Sequence, residues 1–277
     1  MVLKKTNQRL SPEKAYENYL NALNNKLAEK RCVKDGCVDY EKYNRANGEL
    51  KILFLTKEPH DIETGNLFDD EEFFGKEQYE AGEGFRTHRF WKKIFLSAMA
   101  INSGLLGKTD ISLSLPEKYE DIKAYIYKTA VVNVKKIDDR KSISSDVEIY
   151  NYASKYKTEL RNQINSYSPD VIVCGGTIES FEEIFQVNNK EGWLEEHGPK
   201  DLKKYPFDLK FLGDSNFYWY GILKENKKYY IVINYYHPSV YQFTDGLYIL
   251  GINNISKIAR NYIRYNYRDL FKKLIHR

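Results

Sequence analysis

Residues 51–60 read KILFLTKEPH. The run ILFLT at 52–56 is wholly apolar up to its closing threonine, the pattern of a strand covered on both faces. The chain then turns at once through Lys57, Glu58, Pro59 and His60. A buried strand therefore delivers charged and titratable groups at its C-terminal end. Further runs repeat this arrangement: TAVVNV at 129–134, PDVIVCGG at 169–176 and YYIVINYYHPS at 229–239.

Helical patterns separate these runs. Ser11 is a candidate cap and Pro12 suits a first turn, and Tyr16, Tyr19, Leu20, Leu23 and Leu27 then form one apolar stripe, so a helix is expected over 11–30. Residues 87–102, 146–167, 177–185 and 246–274 also read as helices, and turn signals within 209–230 suggest a hairpin or insertion. The polar, glycine-punctuated stretch 61–85 reads as loop. Strands that alternate with helices and stay apolar throughout predict an α/β fold with a mostly parallel central sheet covered on both faces. In such sheets ligands bind beyond the carboxyl ends of the strands. No repeat or low-complexity linker divides the chain. Residues 1–277 therefore read as one domain, with a helical N-terminal extension at 1–49 and a basic C-terminal helix at 246–277.

The 277 residues are 42% hydrophobic and 30% charged, enough chain and apolar content for a sizeable core. The net charge of +4 permits a polyanionic partner without demanding one. Its distribution is uneven: 61–83 is acidic, whereas 256–277 is basic with interleaved tyrosines. No apolar run approaches the roughly 18–20 residues of a membrane span. The opening MVLKKTNQRLSPEK has no apolar core of a signal peptide, so a cytoplasmic protein without a membrane partner is expected. The three cysteines, Cys32, Cys37 and Cys174, are too few for a disulfide framework.

On one parallel edge the strand ends would gather Glu58 and His60 from the first run, and Asn133, Lys135 and Lys136 from the second. The third would add Gly175, Gly176 and Thr177, and the fourth His237, Pro238 and Ser239. This ordered set resembles the uracil-DNA glycosylase superfamily, and the resemblance runs from about residue 50 to 241. ILFLTKEPHD is similar to that superfamily's first motif, VVNVKK to its second strand, SPDVIVCGGT to its third, and INYYHPSVY to its His-Pro-Ser motif.

The resemblance implies a three-layer α/β/α sandwich and a monofunctional DNA glycosylase. Such an enzyme flips an altered or modified base out of the helix and hydrolyses its N-glycosidic bond. By the same resemblance, Phe68 stacks on the base, with Phe73 or Phe74 as substitutes, and Asn133 reads the base edge. His60 shapes the pocket wall. His237 donates a hydrogen bond to the leaving base, where negative charge develops. Glu58 orients water or stabilises the sugar cation. Ser239, Tyr241, Lys135, Lys136 and Arg140 are the implied DNA contacts.

The chain departs from the pattern at Thr56, where the family has glycine, and at Glu58 and His60. Cys32 and Cys37 resemble half of an iron–sulfur ligand set found in some members. The other two ligands are missing, so no cluster, metal or other cofactor is expected. A zinc site using Cys32, Cys37 and distant histidines stays open as an alternative. A DNA-binding monomer is expected. The rival readings are a catalytically degenerate protein of this fold that binds nucleic acid or a protein, and an unrelated nucleotide-binding protein that cradles phosphate on CGGT.

Overall fold

The computed structural model describes residues 10–23, 32–45, 48–59, 89–108, 118–137, 144–187, 193–197, 219–225, 228–239 and 244–276. His60, Phe68, Phe73, Phe74, Arg140 and Tyr241 lie outside them.

Strands β1 (Gly36–Cys37), β2 (Ile52–Thr56), β3 (Thr129–Asn133), β4 (Val171–Gly175), β5 (Trp193–His197), β6 (Trp219–Glu225) and β7 (Lys228–Tyr235) form one sheet in the order β1-β3-β2-β4-β7-β6-β5. The central strands β3, β2, β4 and β7 are parallel, as their buried apolar runs predict. Outside them the pairings are antiparallel: β1 on β3, β6 on β7 and β5 on β6. The fold is thus mixed α/β, with a parallel centre and antiparallel flanks. Of the stretch 209–230, where a hairpin or insertion is expected, residues 209–218 lie outside the described residues, and β6 pairs antiparallel with β7 and extends the sheet.

The described helices are α1 (Pro12–Leu23), α2 (Tyr40–Asn44), α3 (Arg89–Leu106), α4 (Tyr119–Tyr127), α5 (Asp146–Lys155), α6 (Lys157–Tyr167), α7 (Ile178–Phe185), α8 (Asp245–Asn266) and α9 (Arg268–Ile275). Side chains alternate across a strand, so the two faces of the sheet carry separate cores. Ile52, Phe54, Val131, Val173 and Ile233 pack with residues of α3, α4, α8 and α9. Leu53, Leu55, Val132, Ile172 and Val232 pack on the other face with residues of α1, α5, α6 and α7.

Local chemistry explains several boundaries. Ser145 caps α5 by accepting from the Glu148 N–H at 3.2 Å, and Thr244 caps α8 by accepting from Leu247 at 3.4 Å. The single helix expected over 146–167 is two, because Tyr156 leaves helical geometry at φ −115° and ψ 25°. The expected N-terminal extension is not an appendage. It supplies the edge strand β1, and Tyr19 and Leu23 of α1 lie in the second core. The basic tail is likewise structural on one side: Tyr248, Ile252 and Ile263 of α8 are buried, while Arg264, Arg268, Lys272 and Lys273 are exposed.

About half of the described tyrosines are buried, and several of those have their hydroxyls hydrogen-bonded. Tyr235 Oη donates to the Tyr248 carbonyl at 2.8 Å. Burial pushes the phenols of Tyr167 and Tyr235 well above the ordinary tyrosine value. In the unfolded chain both ionise near pH 10, so there the native state holds more protons and stability falls as pH rises. The stabilisation is fully present below pH ~10, and above it about 3 kcal/mol per pH unit is lost for two such groups. Phenolate absorbance recorded during alkaline titration should rise in one cooperative step together with loss of helical circular dichroism. A smooth rise from a still-folded protein would contradict this burial.

Candidate functional site

Because β3, β2, β4 and β7 are parallel, their carboxyl ends lie on one edge of the sheet. Adjacent strands are about 4.8 Å apart, so the ends of β3 and β7 stand roughly 14 Å from each other with β2 and β4 between them. Asn133 closes β3 on one side, and His237 follows β7 on the other.

Asn133 is 2% exposed and sits beside Thr56 in the β2–β3 register. Both face the core of α3, α4 and α8, by alternation from Phe54 and Val131. The Thr56 hydroxyl donates to Asn133 Oδ1 at 2.7 Å, and the Asn133 backbone N–H donates to Asp35 Oδ2 at 2.6 Å. The Asn133 Nδ2 amide is buried and has no acceptor among the described residues. A buried donor without a partner costs about 1–3 kcal/mol, so it is a group that a ligand carbonyl would satisfy.

His237 is placed by close packing of two strand ends. A Cβ on Gly175 would approach Pro238 Cδ at 3.2 Å, so glycine lets the His237–Pro238 turn lie across the end of β4. Gly176 has φ +68°, a conformation that favours glycine. The Ser239 N–H donates to His237 Nδ1 at 3.2 Å, which places the proton of the neutral ring on Nε2. The Phe90 ring lies 5.9 Å from the His237 ring. Tyr248 Oη donates to the Tyr236 carbonyl at 2.8 Å and so ties this turn to α8. Lys93, fully buried on α3, lies with Nζ 4.7 Å over the Tyr248 ring.

Glu58 takes a different direction from that expected. It is 6% exposed, and its Oε1 and Oε2 accept from the Ser144 N–H and hydroxyl, both at 2.6 Å. Lys135 Nζ lies 3.3 Å from Oε2 and donates to Ser144 Oγ and Glu148 Oε1, each at 2.7 Å. These partners stand at and within α5, in the helix layer opposite the face of Thr56 and Asn133. The carboxylate pins the turn after β2 to the start of α5. Lys57, also in that turn, pairs with Asp146 at 2.5 Å.

The expectation that Lys135 and Lys136 contact phosphate is corrected. They are 1% and 0% exposed and are held by buried carboxylates. Lys136 Nζ donates to Asp35 Oδ2 and to the Asn133 carbonyl, both at 2.6 Å. Burial pulls the Lys136 ammonium below its ordinary value, and the Asp35 carboxylate opposes that shift. The phosphate cradle on CGGT also loses support, because the Gly176 N–H already donates to the Tyr235 carbonyl at 2.9 Å. Thr177 is likewise turned inward, donating to the Leu55 carbonyl at 2.7 Å.

Cys37 pairs with Ala130 at the start of β3, whereas Cys32 bridges Ile137 beyond its end. The two cysteines thus lie toward opposite ends of β3 rather than side by side on one pair of residues. Among the described residues no group of three His, Cys, Asp or Glu side chains is placed to hold a metal.

Asn133 and His237 were legible as strand-end groups. Asp35, Ser144 and the hydroxyl of Thr56 were missed. The one available signal was polar residues at the margins of buried runs. No helix among the described residues is long and apolar enough to cross a membrane. Comparison of the chain with models of protein families, with curated proteins and with solved structures finds no match in any of the three.

Proposed function

We propose that the protein is a DNA glycosylase that releases uracil or another altered base carrying a ring carbonyl. The observation that carries this reading is the unsatisfied, buried Nδ2 of Asn133 on the same strand-end edge as His237. Asn133 donates to the base edge. His237, with its proton on Nε2, donates to the oxygen on which charge develops as the C–N bond breaks, and so stabilises the transition state. Phe90, against the His237 ring, offers an aromatic surface for the base. Glu58 contributes the field of a buried ion pair rather than a free carboxylate.

That engagement of Glu58 favours a second reading, a protein of this architecture that binds nucleic acid without chemistry. One panel separates the two. Single- and double-stranded oligonucleotides carrying uracil, mismatched or modified bases are incubated with the protein and then treated with alkali to cut abasic sites. Strand cleavage dependent on the protein and on the altered base supports the glycosylase. Retained binding with no cleavage on any substrate supports the binding protein.

A further inference from the structure

The Asn133 amide carries two opposite hydrogen-bonding faces, an acceptor at Oδ1 and a donor at Nδ2. Which face meets a ligand depends on which is used internally. The Thr56 hydroxyl, 1% exposed and adjacent in the sheet register, donates to Oδ1 at 2.7 Å. The backbone of the same residue is held by Asp35 Oδ2 at 2.6 Å. Main chain and side chain are both constrained, and the atom left over is the buried donor Nδ2. The neighbouring side chain has therefore chosen which half of the amide is offered.

We propose that Thr56 is a specificity-determining residue: its hydroxyl holds the Asn133 amide with Nδ2 toward the ligand, so the site takes a nucleobase with a carbonyl at that edge and rejects one with an amino group there. The inference rests on the proposed binding of a base at this edge but goes beyond it, because it assigns the selection to a residue that need not touch the base. An amino group facing Nδ2 would set donor against donor and leave both unpaired, which costs enough to discriminate by about 10-fold or more. A hydroxyl can also accept. If the amide were turned over, Nδ2 would donate to Thr56 and Oδ1 would face the ligand, and the preference would reverse.

The test uses the full chain and Thr56→Val and Thr56→Ser variants. Equilibrium binding is measured for single-stranded oligonucleotides with one central uracil or one central cytosine in an otherwise abasic-spacer context, and base release from the same strands is followed in parallel. The parent should prefer uracil by about 10-fold, Thr56→Ser should keep that preference, and Thr56→Val should bring it below about 3-fold by freeing the amide to rotate. Thermal melting of each variant reports whether it is folded. A folded Thr56→Val protein with the parent's preference overturns the inference, as does a parent that prefers cytosine or binds neither strand. Uracil-selective binding that depends on Thr56, with no base released, keeps the inference and rejects the glycosylase.

Discussion

Replacing Asp35 with alanine lowers the stability of the folded protein by about 3–5 kcal/mol, the cost of leaving a buried charge without its partner. For a chain of this size that is a fall in melting temperature of roughly 10 °C. The Asp35 and Lys136 side chains are both 0% exposed and 2.6 Å apart. Asp35 also accepts from Gln163 Nε2 at 2.8 Å and from the Asn133 N–H at 2.6 Å, so one carboxylate gathers three donors. Adding Lys136→Met removes the stranded ammonium and recovers part of the loss. Recovery is incomplete because Gln163 and the Asn133 N–H still lack their acceptor.

The pH dependence follows from the depressed Lys136 ammonium. Without Asp35 it is depressed further, so between that lower value and the ordinary lysine value the unfolded chain binds more protons than the folded one. The destabilisation is then largest below that lower value and shrinks as pH rises through it toward the ordinary lysine value. Urea melts at several pH values measure both effects. An Asp35→Ala protein within about 1 kcal/mol of the parent at pH 7 would show that the pair is not buried in solution.

The second large effect concerns chemistry. On any substrate from which the protein releases a base, His237→Ala should lower kcat by about 10²–10³-fold, the usual cost of losing one donor aimed at developing charge. KM should change little, because that interaction strengthens only as the bond breaks. His237→Gln retains an N–H donor and should lose less. His237 is part-exposed on a turn set by Gly175 and Pro238, so the melting temperature should stay near the parent's. Unchanged kcat in a folded His237→Ala protein would remove His237 from the mechanism while leaving the roles of Asn133 and Thr56 to be judged separately.

Much of the fold was legible because its signals are local. An apolar run bounded by turn residues becomes β2, β3, β4 or β7 wherever it is placed, and Ser145 caps α5 through an atom three residues away. The strand ends followed from the strands, which is why Asn133 and His237 were found. The short strand β1 and helix α4 escaped notice. A pair of residues, Gly36 and Cys37, has no periodicity to read, and α4 is a nine-residue helix whose buried residues are only Tyr119, Ile122 and Ile126.

The sequence by itself determined the α/β class, the parallel centre of the sheet and the edge where polar groups collect. It did so because burial of a continuous apolar strand needs no partner more specific than another such strand. Only the tertiary structure decided which way those polar groups turn. Lys136 is buried because Asp35, 101 residues away in sequence, meets it. Glu58 leaves the strand-end edge because Ser144, 86 residues away, satisfies both its oxygens. A lysine or glutamate reads as surface until an opposite charge or a donor reaches it in space. Those partners come from anywhere in the chain, so their effect has no local signature. KILFLTKEPH thus specified a strand and a turn, and the partners of Thr56 and Glu58 specified what each residue there does.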